Sequence, residues 1–468
     1  VCGVAGVHAP GQDAAALAAL GIFALQHRGQ ESAGVAVSDG TGVMVYKDLG
    51  LVNQVLDERR LASLNGERAI GHCRYSTTGS TVWENSQPTL RLGPVRSVAI
   101  GHNGNLVNTR QLLEQLPGGR DGLVGSTDTE LLTALLAGEP AASLVDALVG
   151  LLPRVSGAYA LVVMDDELVI GARDPFGLRP LVLGRLPGDG WALASETCAL
   201  DALGAEYVRD VEAGEMVVLG GPEGPRSVRF AEGREQLCVF ELIYFARPDS
   251  YMLGRNLYEV RRRMGEALAR EAPAEADLVM PVPDTGAPAA AGYAEASGIP
   301  YREGMVRNRY SGRTFIQPST SLRQRGVTVK LSPLREQVRD RRLIVVDDSI
   351  VRGTTTRQIV GLLRRAGARE VHLRISAPPI FHPCFYGIDT QIERELIAAH
   401  RSLDEIRDYV EADSLAYLSI GGVLDAIDLP RERFCFACFD GQYPVPVPYD
   451  PDNHKMILER EPQELTAR

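Results

Sequence analysis

Leu343-Ile344-Val345-Val346-Asp347-Asp348-Ser349-Ile350-Val351-Arg352-Gly353-Thr354-Thr355 is the most specific string in the chain. Four apolar residues read as a buried strand. Two acids end it, and a turn of small residues leads into an amphipathic helix over 354–366. Backbone N–H groups at such a helix start can hold a phosphate. Asp347 and Asp348 would then meet ribose hydroxyls or a Mg2+ that also touches the substrate. The blander alternative is a strand-to-helix turn with aspartate caps. Paired acids ahead of Ser-Ile-Val-Arg-Gly-Thr-Thr fit a whole sugar phosphate better. Working outward, 277–281 and 371–375 read as further strands and 287–297 as a helix. Strand, helix, strand with glycine at the joints describes βαβ units around a parallel sheet, where ligands bind beyond the carboxyl ends of the strands. Residues 412–423 read as a further short element. The tail from Pro444 is proline-rich, then charged and helical at its end.

The first half has a different rhythm. Short apolar or alternating runs at 4–7, 34–37, 43–46, 97–100 and 159–164 are bounded by Gly, Asp or Asn and read as strands. Helical patterns cover 13–25, opened by an Asp cap, and 128–152, broken by Pro140. This predicts a layered α+β unit. The Gly/Pro-rich stretch 220–233 reads as its end or as a linker.

Chemistry in this half centres on Cys2. A cysteine beside an apolar strand is usually a small buried hydrophobe. If the chain began at Cys2, its own α-amine, titrating at about 8, would serve as base for the thiol. Val1 precedes Cys2 here, so Val1 is expected to be a leader remnant absent from the active form. Arg74, in Gly71-His72-Cys73-Arg74-Tyr75-Ser76-Thr77-Thr78-Gly79, offers a fork for a carboxylate. The Asn103 amide and the Gly104 N–H, in Gly101-His102-Asn103-Gly104-Asn105-Leu106, can aim two donors at one oxyanion. Asp128 is placed to accept a substrate ammonium, or else is an ordinary helix cap. Together these groups describe amide hydrolysis on a free amino acid, with glutamine the obvious candidate.

Cys2-Gly3-Val4-Ala5-Gly6, Gln26-His27-Arg28-Gly29-Gln30-Glu31-Ser32-Ala33-Gly34 and the two segments just quoted resemble the N-terminal-nucleophile glutamine amidotransferases. The resemblance implies a four-layer αββα fold. It also implies that Cys2 attacks glutamine, Arg74 and Asp128 bind it, and Asn103 and Gly104 form the oxyanion hole. The 343–355 string resembles the phosphoribosylpyrophosphate (PRPP) motif of type I phosphoribosyltransferases. By that resemblance Asp347 and Asp348 bind ribose or its metal, and Ser349, Ile350, Val351, Arg352, Gly353, Thr354 and Thr355 cradle the 5-phosphate. Pro281-Val282-Pro283-Asp284-Thr285-Gly286 looks like the pyrophosphate loop, with Thr285 adding a hydroxyl ligand to Mg2+. The basic stretch 308–330, with Arg313 and Lys330, reads as a lid over pyrophosphate, or else as a solvated loop.

Four more cysteines, Cys238, Cys384, Cys435 and Cys438, lie among Phe240, Phe381, Phe385, Phe434, Phe436 and Phe439 in sequence. One Cys-x-x-Cys with two distant partners suits an iron–sulfur cluster better than zinc, which favours two close pairs. Four unrelated buried cysteines remain the alternative. Cys73 and Cys198 read as structural.

A glutaminase joined to a PRPP half resembles the glutamine phosphoribosylpyrophosphate amidotransferase family over essentially the full chain. Cys238-Val239-Phe240-Glu241-Leu242-Ile243-Tyr244-Phe245-Ala246-Arg247-Pro248-Asp249-Ser250 adds to the likeness. The resemblance implies transfer of ammonia from glutamine to PRPP, giving phosphoribosylamine at the start of purine synthesis. It further implies Mg2+, a structural or oxygen-sensing [4Fe–4S] cluster, a homotetramer and feedback inhibition by purine nucleotides. Expected units are 2–230 for the glutaminase, 231–430 for the phosphoribosyltransferase, and 431–468 closing the cluster site. Rival readings are a glutamine amidotransferase with a sugar-isomerase or ATP-binding second half, which the Asp347-Asp348 motif opposes, and a PRPP- or nucleotide-sensing regulator with a dead glutaminase.

Composition agrees with an enzyme of this kind. The 468 residues, 45% hydrophobic and 23% charged, suit two or three globular units. A net charge of −11 provides no general basic field for nucleic acid or anionic membrane. Lysine occurs only as Lys47, Lys330 and Lys455, an arginine bias read as a genome effect. No apolar run reaches membrane-span length, no signal segment is evident, and seven cysteines make an unlikely disulfide scaffold. A cytoplasmic location is expected.

Overall fold

In a computed structural model, residues 1–93, 95–221, 223–308, 330–448 and 456–459 are described. The first half is two stacked antiparallel sheets. One has the order β11-β9-β10-β1-β4-β2-β3, with β1 Gly3–His8, β2 Ser32–Ser38, β3 Val43–Leu49, β4 Arg68–Arg74, β9 Val182–Arg185, β10 Trp191–Ala194 and β11 Glu206–Asp210. The other is β13-β12-β8-β7-β6-β5, with β5 Thr89–Leu92, β6 Ser97–Leu106, β7 Gly157–Met164, β8 Val169–Arg173, β12 Glu215–Leu219 and β13 Arg226–Arg229. Between the sheets, Val4, Ile70, Ala99, Val162 and Val217 form one core. Strands covered on both faces carry apolar residues at successive positions, so the alternation that marks half-exposed strands is lost.

Helices cover both outer faces. Helix α1, Ala14–Ala24, starts where Asp13 accepts from the Ala16 N–H (3.0 Å) and packs on β1 and β4. Helices α2, Asp128–Gly138, and α3, Leu144–Leu151, cover the second sheet. The break predicted at Pro140 falls in the gap between them. The four layers are therefore helix, sheet, sheet, helix, as expected. Two readings change. The strand expected at 97–100 runs to Leu106, because β6 pairs with β7 as far as Leu106↔Gly157, and so the Asn103-Gly104 motif lies in a strand instead of following one. The stretch 220–233 contains β13, an edge strand paired with β12.

The second half is built on a parallel sheet of β14 Leu278–Pro281, β15 Arg342–Asp347, β16 Glu370–Ile375 and β17 Ser414–Tyr417, in that order. Residues 412–423 span β17 and the start of a helix, Ile420–Ile427, capped by Ser419. Helices α4, Leu257–Glu271, and α5, Ala287–Ser297, lie on one face, and α6, Thr354–Arg365, on the other. Helices α4 and α5 approach backbone to backbone. A Cβ on Gly265 would stand 1.8 Å from the Ala289 oxygen, and one on Gly292 1.8 Å from the Arg262 oxygen.

A buried ion network joins the halves. Arg28 Nη2 donates to both oxygens of Glu241 (2.7 and 2.9 Å), Arg28 Nη1 to Glu196 (2.5 Å), and Arg179 Nη1 to Glu241 (3.0 Å). All four side chains are fully buried. Among the described residues, no helix is long and apolar enough to cross a membrane.

Gly265→Ala is expected to force α4 and α5 apart and cost about 1–3 kcal/mol, read as a lower melting temperature. Gly138→Ala, at an exposed helix end with nothing within 4 Å of the new methyl, should leave stability close to that of the parent. A second prediction concerns pH. Burial lowers His72, in β4, from 6.5 to about 3. Between those values the unfolded chain binds a proton that the folded protein does not. This residue's contribution is thus complete above pH 6.5 and falls on acidification, by about 1.4 kcal/mol per pH unit. Urea unfolding of His72→Asn should show a shallower loss of stability between neutrality and about pH 5.

Candidate active site

The start of β1, the end of β4 and the end of β6 meet at one pocket lined by Cys2, Arg74, Tyr75, Gly104 and Asp128. The Cys2 Sγ lies 3.4 Å from both the carbonyl oxygen and the amide nitrogen of Tyr75. The Cys2 backbone N–H donates to Asn103 Oδ1 (3.1 Å), and Arg28 Nε donates to the Cys2 carbonyl (2.9 Å). Val1 is buried, and burial drops its amine to about 5.

Asn103 is fully buried, and its Nδ2 has no hydrogen-bond partner. An orphaned buried donor costs about 1–3 kcal/mol, which marks the place of an incoming acceptor. The neighbouring Gly104 admits no side chain, since a Cβ would stand 1.9 Å from the Ala158 oxygen.

Arg74 and Asp128 form two walls of the pocket. Arg74 donates to the carbonyls of Thr78 (2.9 Å) and Ser80 (3.2 Å), which fixes the turn after β4. Burial lowers the Arg74 pKa, opposed by negative charge at Cys2, Glu31 and Asp128. Asp128 accepts from the N–H groups of Leu106 (3.0 Å) and Thr129 (2.9 Å). It is the first residue of α2 and not the cap, because Thr127 accepts from the Glu130 N–H. Sequence reasoning missed three supports. Glu31 accepts from the Ser76 N–H (3.0 Å). Gln87 accepts from the His102 N–H (2.8 Å). Asn85 Nδ2 donates to Ser80 O (2.9 Å) and to Ser126 Oγ (2.8 Å). All three act through tertiary contacts that leave no local signal.

The pocket backs directly onto the second half. Asn105 Nδ2 donates to Phe385 O (3.0 Å), and Gln391 Nε2 to Thr77 O (3.3 Å). A cavity lined by Thr78, Asn105, Phe385, Gln391 and Ile457 lies between them.

At the carboxyl end of β15, Asp347 and Asp348 are both buried. Thr285 Oγ1 donates to Asp348 Oδ1 (2.5 Å) and Ser349 Oγ to Asp348 Oδ2 (2.7 Å), so the loop after β14 and the loop after β15 meet. Burial raises both carboxyls, and the Asp348 charge raises Asp347 further. Gly353, at φ +72, turns the chain into α6, whose start has no side-chain cap. Its N–H groups are thereby left for an anion. Within this loop Ile350 is buried, Val351 half-buried, and Thr354 and Thr355 exposed. Two expected ligands have their side chains engaged elsewhere: Arg352 with Glu395, and Asp284 with Arg307 (2.8 Å). Lys330 precedes the strand Leu331–Pro333, and its carbonyl accepts from the Asn308 N–H (2.8 Å). Arg313 and the rest of 309–329 lie outside the described residues.

Cys238, Cys384, Cys435 and Cys438 are all buried free thiols, and Cys238 pairs with Cys435 across a short parallel bridge. Burial raises Cys238 to about 11, with Cys384 adding to the rise. Burial and then the nearby Cys238 and Cys384 charges push Cys435 and Cys438 well up. Phe240 stacks on Phe439 (5.9 Å) and Phe385 packs on Tyr443 (5.5 Å), whereas Phe381 is exposed and does not shield the thiols. Among the described residues, no group of three or more His, Cys, Asp or Glu is arranged to hold a single metal ion. Within the tail, Leu458 is buried in the core under α2 and α3.

Comparison with known proteins agrees with this architecture. Residues 72–202 match the glutamine amidotransferase domain family and residues 253–379 the phosphoribosyl transferase domain family. The amidophosphoribosyltransferase of Mycobacterium tuberculosis is 51% identical, over 98% of this chain and 89% of its own. A solved structure described as the allosteric regulatory enzyme of purine biosynthesis superposes with a TM-score of 0.91 at 46% identity, covering 99% of this chain and all of that one. The glutamine PRPP amidotransferase from Bacillus subtilis, complexed with ADP and GMP, gives 0.88 at 47% identity over 96% and 98%. The chain belongs to the amidophosphoribosyltransferase family, the enzymes that catalyse the first step of purine biosynthesis.

Proposed function

We propose that Cys2 is the nucleophile of the glutaminase reaction and that residues 2–230 form that unit. The observation that carries this is the orphaned Asn103 Nδ2 one hydrogen bond away from Cys2. With Val1 removed, the Cys2 nitrogen becomes an α-amine held by Asn103 Oδ1, and it takes the thiol proton. The thiolate attacks the glutamine amide carbon, and Asn103 Nδ2 with the Gly104 N–H hold the oxyanion. Collapse releases ammonia and leaves a glutamyl thioester, which water hydrolyses to glutamate. Arg74 takes the substrate carboxylate and Asp128 its ammonium.

Residues 231–430 form the phosphoribosyltransferase unit in this reading. Ser349 to Thr355 cradle the 5-phosphate against the uncapped start of α6, and Asp347 and Asp348 hold the ribose. Ammonia attacks C1 and displaces pyrophosphate, giving phosphoribosylamine. The contact between Asn105 and Phe385 favours direct passage, which keeps ammonia from protonation by water. Arg313, Lys330 and Asp284 are assigned to pyrophosphate by family likeness.

Two cofactors fit the residues present. The buried acids Asp347 and Asp348, with the Thr285 hydroxyl at 2.5 Å, are a hard oxygen set suited to Mg2+, which would neutralise pyrophosphate as it leaves. Cys238, Cys384, Cys435 and Cys438 suit a [4Fe–4S] cluster. Bound by these four side chains, it would cross-link three separate stretches of chain, the last of them in the segment 431–468. A homotetramer, a cytoplasmic location and inhibition by purine nucleotides complete the reading. The ADP and GMP of the Bacillus subtilis complex support the last.

Cys2→Ala is expected to abolish glutamine-dependent synthesis and retain ammonia-dependent synthesis. Asp348→Asn should show the opposite split, losing synthesis from both nitrogen sources by about 100-fold or more while retaining basal glutamine hydrolysis. Equal loss of every activity in either variant would overturn the assignment. N-terminal sequencing of active enzyme should read Cys2 first.

A further inference from the structure

Residues 456–459 are the last described part of the chain's tail. They lie on the glutaminase half. Leu458 is 1% exposed within the core under α2 and α3, and its carbonyl accepts from Arg120 Nε (2.5 Å). This anchor delivers Glu459 to a defined place. Glu459 Oε1 accepts from the Ser80 N–H (2.8 Å) and from Ser126 Oγ (2.6 Å).

Those two donors stand close in sequence to two stretches that line the pocket around Cys2, Thr77–Thr78 and Thr127–Thr129. Ser80 ends the turn whose carbonyls at Thr78 and Ser80 fix Arg74. Ser126 stands two residues before Asp128, and its N–H donates to Asn85 Oδ1 (2.7 Å). Asn85 already ties Ser126 to the Ser80 carbonyl from one side. Glu459 closes the same gap from the other side, with an ionised acceptor taking two hydrogen bonds at one oxygen. The same tail places Ile457 beside Thr78, Asn105 and Phe385 in the cavity that faces the second half.

We propose that Glu459 is a positioning residue for glutamine: by tying Ser80 to Ser126 it sets the separation between the Arg74 guanidinium and the Asp128 carboxylate, and so whether the α-carboxylate and the α-ammonium of the substrate are held at the same time. This rests on the assignment of Arg74 and Asp128 to the substrate made above. The distance between an α-carboxylate and an α-ammonium is fixed by the substrate, so a pocket whose two receptors drift apart binds it with only one. Charge-assisted hydrogen bonds hold such a spacing more firmly than neutral ones. The tail thereby acts on the far end of the substrate, away from the thiol and away from the PRPP loops.

The test uses full-length enzyme and steady-state kinetics with glutamine and, separately, ammonia. Glu459→Ala is expected to raise the KM for glutamine roughly ten-fold, with kcat changed less than about two-fold and ammonia-dependent synthesis unchanged. Glu459→Gln keeps an acceptor oxygen and should recover most of the loss. Arg74→Lys serves as the control on the underlying assignment. If Arg74→Lys raises the glutamine KM and Glu459→Ala does not, the positioning role is overturned while the site assignment stands. If Arg74→Lys leaves the glutamine KM unchanged, the site assignment itself fails. A parallel fall in ammonia-dependent synthesis, or no recovery in Glu459→Gln, shows a general structural role and overturns the proposal as well.

Discussion

Two guanidinium groups fully removed from water share one carboxylate, and the rest of the structure is arranged around that fact. Desolvating each ion costs several kcal/mol, and the cost is offset only where geometry and additional hydrogen bonds are complete. Around Glu241 they are. Arg28 meets both of its oxygens and passes its remaining donors to Glu196 and to the Cys2 carbonyl. Arg179 meets the same carboxylate and spends two more donors on the Tyr386 carbonyl, next to Cys384 in the fold. Burial opposes the charge on Arg179, and negative charge at Cys238, Glu241 and Cys384 outweighs it. One carboxylate therefore orients both the residue proposed as nucleophile, just ahead of β1, and the loop that carries Cys384.

Much of the chemistry was legible because it is local. Asp347 and Asp348 end a strand, Gly353 turns into a helix, and Asn103-Gly104 are adjacent in sequence. Short strands between two helical blocks point to a layered α+β unit, and the αββα order itself comes from the resemblance to the amidotransferases. Legibility fails where a residue acts through tertiary contact. Asn85, Gln87 and Glu31 look like ordinary surface polar residues in sequence, yet Asn85 is fully buried and Gln87 4% exposed. The extent of β6 was misjudged for a related reason. Asn103 and Asn105 disfavour strands intrinsically, and only pairing with β7 and burial hold them extended. Side-chain destinations were equally hidden: Arg352 belongs to a phosphate motif but turns its guanidinium to Glu395.

The cysteines illustrate the difference between proximity and ligation. Sequence spacing alone left four scattered thiols as an alternative. The fold brings them near one another through a parallel bridge at Cys238 and Cys435, with Cys384 and Cys435 in one apolar cluster and Cys238 and Cys438 in another. The raised pKa values of Cys238, Cys435 and Cys438 are what burial near other thiols imposes, and a bound group that neutralises the charge would remove that penalty.

The two halves also meet at a pair of glycines. A Cβ on Gly387 would come within 3.0 Å of the Gly104 carbonyl carbon, so the strand bearing the proposed oxyanion donor is covered by main chain of the second half. Such a surface leaves no room for a side chain between the two backbones. Cut apart, the first half would expose the back of its own β6 to solvent. It would have to acquire a new cover at the one strand where added bulk is least tolerated. Packing beside the pocket around Cys2 thus makes each half part of the other's fold.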